Sequence, residues 1–149
     1  MSSPTSTPTA GESVSAQPEP RVVLDASAAV TLLIDPSTAG ERVAARLHGA
    51  IVLAPTLLHF EVANILRRRR NAGLLSDAEA SLAHARLLDL PIDLWPWEAI
   101  AHRAWRLGTN LSSYDAAYVA LAEQVGATLL TRDARIAAAP GTACEIVVI

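Results

Sequence analysis

From Arg21 onward, short β-branched apolar runs alternate with longer stretches in which apolar residues recur every three or four positions. Val22-Val23-Leu24, Ile51-Val52-Leu53, Ile92 to Trp95, Ala127 to Leu130 and Glu145 to Val148 read as strands. Helices are expected from Ala26 to Ile34, stopped by Asp35-Pro36, and from Thr38 to Leu47, ending near Gly49. Pro55 suits the first turn of a third helix, which runs through Arg70 and ends at Asn71-Ala72-Gly73. Ser76 with Glu79 forms a capping-box signature for a fourth, closing before Pro91, and Pro96 opens a fifth that reaches Leu107. Ser113 is expected to cap a sixth, Tyr114 to Val125, with Gly126 at its C-terminal end; Asp133 starts a short seventh. Strands separated by helices call for parallel pairing. The expected fold is an α/β three-layer sandwich with a mostly parallel central sheet and helices on both faces. There is no internal repeat and no second domain.

Residues 1–20 break the pattern: Ser, Thr, Pro and Ala dominate, with no Arg and no apolar run. They are expected to form a disordered tail ahead of a single domain over residues 21–149. A secretory signal would need a basic start and an apolar stretch of roughly 7–15 residues, and neither is there. No later segment reaches the ~18 continuous apolar residues of a membrane span. The lone Cys144 rules out an internal disulfide and fits a reducing, cytoplasmic setting.

Charge changes the picture once it is divided. The formal net charge is −3, but setting aside Glu12 and Glu19 of the tail leaves −1. If Asp25, Glu61, Asp115 and Asp133 form one metal-neutralised cluster, the remaining surface sums to about +3. All 12 basic residues are Arg. The absence of lysine excludes a P-loop ATPase, Schiff-base chemistry, and phosphotransfer sites built on a catalytic lysine.

Those four acids fall where an α/β sheet puts its chemistry. Asp25 directly follows the first strand and Asp133 the fourth; Glu61 lies early in the helix after the second strand. All three map to the carboxyl edge of a parallel sheet, where ligands bind in such folds. Asp115 joins them if its helix runs back antiparallel to the fourth strand. Each has a plainer reading: Asp25 and Asp133 as helix N-caps worth ~1 kcal/mol, Asp115 as a partner of the helix dipole. Glu61 resists one. It is set among Leu57, Leu58, Phe60, Val62 and Ile65, where an ionised carboxylate needs a cation partner, either an arginine or a metal. Converging carboxylates without His or Cys suit Mg²⁺ or Mn²⁺ rather than zinc. Such a site can position a water, lower its pKa and neutralise charge developing on a phosphoryl group.

Val23-Leu24-Asp25-Ala26-Ser27, Phe60-Glu61-Val62-Ala63-Asn64, Ser113-Tyr114-Asp115-Ala116-Ala117-Tyr118 and Thr131-Arg132-Asp133 together resemble the signature blocks of PIN domains. The sequence is most similar to the VapC ribonuclease toxins of bacterial toxin–antitoxin pairs, over roughly Arg21 to Ile149. The Tyr-Asp-Ala-Ala-Tyr block is the specific part. The resemblance implies a Mg²⁺- or Mn²⁺-dependent endoribonuclease, held in check by a small cognate antitoxin of VapB type, and a homodimer. By position, Asp25, Glu61, Asp115 and Asp133 would be the metal and water-activating acids. Ser27, Thr131 and Asn64 would orient a carboxylate or its water. Some members of the family carry another acid where this chain has Thr131.

Arg68 lies seven residues past Glu61 on the same helix face, about 10 Å along the axis, with Asn64 between them. It could reach an RNA phosphate beside the scissile one, or simply complement the helix dipole. His48, His59, His84 and His102 have no metal-ligand spacing; Trp95, Trp97 and Trp105 read as core or dimer-interface groups, and Glu123 as structural. Two other functional classes fit the same acids: a metal-dependent DNA nuclease or phosphatase, and a non-catalytic RNA-binding module.

Overall fold

The computed structural model describes residues 1–5 and 17–149, so much of the expected N-terminal tail lies outside the described residues. The element order is β1 (Arg21–Leu24), α1 (Ala26–Ile34), α2 (Thr38–Leu47), β2 (Ile51–Pro55), α3 (Leu57–Asn71), α4 (Asp77–Asp89), β3 (Ile92–Trp95), α5 (Trp97–Leu107), α6 (Ser113–Val125), β4 (Thr128–Thr131), α7 (Ala134–Ala138) and β5 (Ile146–Val148). The five strands form one sheet in the order β3-β2-β1-β4-β5, and every pairing is parallel. The expected three-layer α/β sandwich is what the chain forms.

The strand order explains the layers. The connections β1→β2 and β2→β3 step one way along the sheet, and β3→β4 and β4→β5 step the other. Right-handed crossovers therefore send α1–α4 to one face and α5–α7 to the other. Accordingly α1, α3 and α4 pack on one another, while α5 packs along α6 and α6 lies across β1, β2 and β4. The direction reverses between β1 and β4. Their carboxyl ends flank the crevice where doubly wound sheets place ligands.

The central strand and α6 carry the core. Val23, Leu24, Leu129 and Leu130 are buried in the sheet, and every residue of α6 from Ala116 to Ala122 is buried. The small side chains of that run let α6 lie close against the strands. A helix apolar on all sides is a helix enclosed on all sides.

Several element ends differ from expectation by a residue or so: β4 runs Thr128–Thr131, β5 starts at Ile146, and Pro96 caps α5 rather than opening it. Pro55 closes β2 rather than opening α3: Thr56 donates its N–H to Trp95 O at 3.0 Å, which keeps β2 paired with β3 through Pro55. Ser112, not Ser113, caps α6, accepting the Asp115 N–H at 3.1 Å. Adjacent serines are indistinguishable by type, and only the extended backbone at Ser112 settles which one caps. The capping box at Ser76 and Glu79 is present as expected, and Gly126 adopts the left-handed conformation that ends α6. No described helix is long and apolar enough to cross a membrane.

Candidate active site

Asp25 sits at the end of β1 with its carboxylate shared between two jobs. Oδ1 accepts the Ala28 N–H at 2.9 Å and the Ser27 hydroxyl at 2.7 Å, which makes Asp25 the N-cap of α1. Oδ2 accepts the hydroxyl of Thr131 from the end of β4. Thr131 is completely buried, and its oxygen also accepts the Asp133 N–H at 3.0 Å. The Asp25 N–H donates in turn to Leu130 O at 3.2 Å. One threonine thus ties the two strand ends at the switch point. Ser27 extends the web by accepting the Arg132 N–H at 2.9 Å. The hydroxyls of Ser27 and Thr131 thus both donate to Asp25 and hold its carboxylate in place.

Glu61 enters from α3. Its Oε1 accepts the hydroxyl of Tyr118 at 2.8 Å. Tyr118 lies on α6 three residues after Asp115, so both point to the same side of that helix. Tyr118 is buried, and no role for its hydroxyl was foreseen in the sequence. The available signal was a phenol in an otherwise apolar buried helix, which must find a hydrogen-bond partner.

The electrostatics bring three of the four acids into one field. Burial pushes the Asp25 carboxyl above its ordinary range, against the lowering effect of its hydrogen bonds, with the Asp115 charge adding to the rise. Burial likewise raises Glu61; the Tyr118 hydrogen bond opposes it, and the Asp115 and Asp25 charges reinforce it. Tyr118 is held firmly in its neutral, donating form by burial and by the neighbouring carboxylates.

Asp133 stands apart. It caps α7 through the Arg135 N–H at 2.9 Å and receives the Arg135 guanidinium at 3.0 and 2.6 Å. That contact holds its carboxyl below the usual range. Among the described residues, no three His, Cys, Asp or Glu side chains are gathered closely enough to hold one ion. Three of the carboxylates each engage a donor of their own: Asp25 accepts from Thr131, Glu61 from Tyr118 and Asp133 from Arg135. The donor set remains all oxygen, which fits a hard divalent cation. Sharing one requires Glu61 and Asp133 to rotate from these partners.

Glu61, Asn64 and Arg68 line one open cleft of about 310 Å³ with Leu57, Phe60, Ile65 and Tyr114. The face expected from the helical period is therefore real. Glu123 lies away from this site. It accepts from Arg103 and from the Ala143 N–H at 2.7 Å, a structural tie as expected. Of the tryptophans, Trp105 is 81% exposed and is not a core group in this chain.

Residues 22–141 match the PIN domain family. Ribonuclease VapC12 of Mycobacterium tuberculosis is 41% identical over 125 residues, which is 84% of this chain and 96% of that protein. Among solved structures, PAE2754 from Pyrobaculum aerophilum superposes with a TM-score of 0.62 at 23% identity, covering 85% of this chain and 83% of that one. Mycobacterium tuberculosis VapC20, described as a sarcin-ricin loop cleaving toxin, also gives 0.62, at 16% identity over 82% of this chain and 96% of its own. At such identities these two structures speak to the fold alone. With the family match, the identity to VapC12 and the all-parallel sheet in agreement, the chain belongs to the PIN-domain family and is a homologue of the VapC ribonucleases.

Proposed function

We propose that this protein is a divalent-metal-dependent endoribonuclease acting as the toxin of a toxin–antitoxin pair. The observation that carries the reading is the shared field of Asp25, Glu61 and Asp115 at the switch-point crevice, with burial raising the first two. Carboxylates assembled against their own repulsion are a liability for folding, and a hard cation with a phosphodiester substrate gives that arrangement a use. Asp25, Glu61 and Asp115 would hold Mg²⁺ or Mn²⁺, with Asp133 joining once Arg135 releases it. When bound, the ion supplies an activated water and neutralises charge on the phosphoryl oxygens.

The chain's own residues do the rest. Thr131 and Ser27 fix the Asp25 carboxylate in one orientation. Tyr118 orients Glu61. Arg68 and Asn64, in the cleft beside Glu61, hold a phosphate next to the scissile one. The released proton leaves through the acid cluster. The toxin role, a VapB-type antitoxin as partner, a homodimer and a cytoplasmic location come with the VapC relationship and belong to the same proposal.

The test is cleavage of total bacterial RNA by purified protein with Mg²⁺ or Mn²⁺, then with EDTA, beside Asp115→Asn. Metal-dependent cutting that the variant lacks is expected. Equal cutting by both proteins would sink the site assignment. Cutting of DNA or of phosphomonoesters in preference to RNA would replace the substrate class.

A further inference from the structure

A second cleft adjoins the one that holds Glu61 and Arg68. It is about 250 Å³, lined by Pro55, Thr56, Leu57, Trp97, Ile100, Ser113 and Tyr114, and its walls expose only apolar surface. The two clefts share Leu57 and Tyr114. Ile100 is fully buried and forms the floor, while Tyr114 is 63% and Trp97 41% exposed. Two large aromatic rings left open on one rim, beside a charged cleft, invite a ligand with both characters.

We propose that this dry cleft takes an unpaired nucleobase of the RNA, stacked on Trp97 or Tyr114, adjacent to the phosphate held near Arg68. The inference rests on the nuclease reading and names the feature of the substrate that site would select: a strand whose base is free to leave its stack. A nucleotide ties a flat apolar ring to an anionic phosphate by one sugar. An apolar slot and an arginine-bearing cleft that meet at Leu57 and Tyr114 reproduce that layout. Base stacking on aromatic side chains is the usual way in which single-stranded RNA is gripped, because a duplexed base presents no free face. The small volume suits one ring system rather than a larger ligand. Tyr114 also sits immediately before Asp115, so a base seated against it fixes the strand relative to the acids.

The experiment uses the full chain labelled with nitrogen-15, titrated separately with the four ribonucleoside 5′-monophosphates and with ribose 5-phosphate. The Trp97 indole resonance is identified by its loss in Trp97→Phe. At least one nucleotide should shift the Trp97 indole and the Ser113 and Tyr114 amides, while ribose 5-phosphate leaves them still. Trp97→Ala should weaken that nucleotide about tenfold, the loss expected for one stacked base, and Trp105→Ala, outside the cleft, should not. The proposal is overturned if no nucleotide moves these resonances, if ribose 5-phosphate moves them equally, or if simple dilution does so, which would assign the cleft to a second copy of the chain. Metal-dependent RNA cleavage that persists beside any of those results removes the base cleft and leaves the nuclease standing. Base-dependent shifts in a protein that cleaves no RNA keep the cleft and remove the nuclease.

Discussion

Thr131 has no solvent exposure and serves Asp25 and the Asp133 backbone at once. Thr131→Val keeps its shape and deletes the hydroxyl, so the buried Asp25 carboxylate loses a donor. A cost of ~1–3 kcal/mol is expected, read as a lower denaturation midpoint, with Thr131→Ser recovering most of it. A valine variant as stable as the wild type would show that Asp25 is satisfied without this contact. Glu61 makes the opposite case. Its folded-state pKa is raised above the unfolded value, so its contribution to stability is present below the unfolded pKa and lost as pH rises through the folded one. Glu61→Gln can still accept from Tyr118 and carries no charge. It should melt a few degrees higher than wild type at pH 7.5, show no such advantage at pH 4, and cleave no RNA. Thermal melts at the two pH values decide it; a gain of the same size at both would mean that charge is not the cause.

Among the elements, α6 is tied to its neighbours near its C-terminus. Its N-terminus presents Asp115 to the crevice, and near its C-terminus Glu123 joins α5 through Arg103 and the segment after α7 through Ala143 and, by way of Arg103, Gly141 O at 2.8 Å. Removing one partner of a partly enclosed ion pair strands the other. Arg103→Ala and Glu123→Ala should each destabilise by ~1–3 kcal/mol, with the double variant losing much less than the sum of the two. Because α6 also supplies Asp115 and Tyr118, kcat should fall modestly in both variants as the helix loosens. Urea melts with parallel RNA-cleavage rates measure the two effects, and strict additivity in the double variant would break the tie apart.

For the whole molecule, the acids set how stability answers to pH and metal. Asp25 and Glu61, both raised, favour the fold less as pH rises through their folded pKa values. Asp133, lowered by Arg135, contributes stability above its unfolded pKa that is lost as pH falls through its folded one. Metal-free protein should therefore lose melting temperature as pH rises above the ordinary carboxylate range, and Mg²⁺ or Mn²⁺ should restore it by mass action at the folded site. In Asp115→Asn the metal-dependent part of the rise should shrink sharply. Scanning calorimetry at several pH values, with and without metal, reads this without any RNA. An identical metal response in the variant would place the ion elsewhere.

Most of the architecture was legible in the chain because it is written locally. Alternating β-branched runs and helical periods depend on neighbours within four residues, as do the Ser76–Glu79 capping box and the Gly126 stop. The order of strands and helices then left a parallel sheet as the one economical solution, with Asp25, Glu61 and Asp133 assigned to its carboxyl edge. The sequence by itself determined the elements, the layers and the family. Tertiary structure alone decided what those acids touch. The Tyr118–Glu61 bond spans 57 residues and the Thr131–Asp25 bond 106, so both depend on β1 lying beside β4 and α6 crossing the sheet. Asp133 instead pairs with Arg135 two residues along, and that contact holds its carboxyl low. The pairing of a dry cleft with a charged one likewise exists only where the starts of α3, α5 and α6 meet.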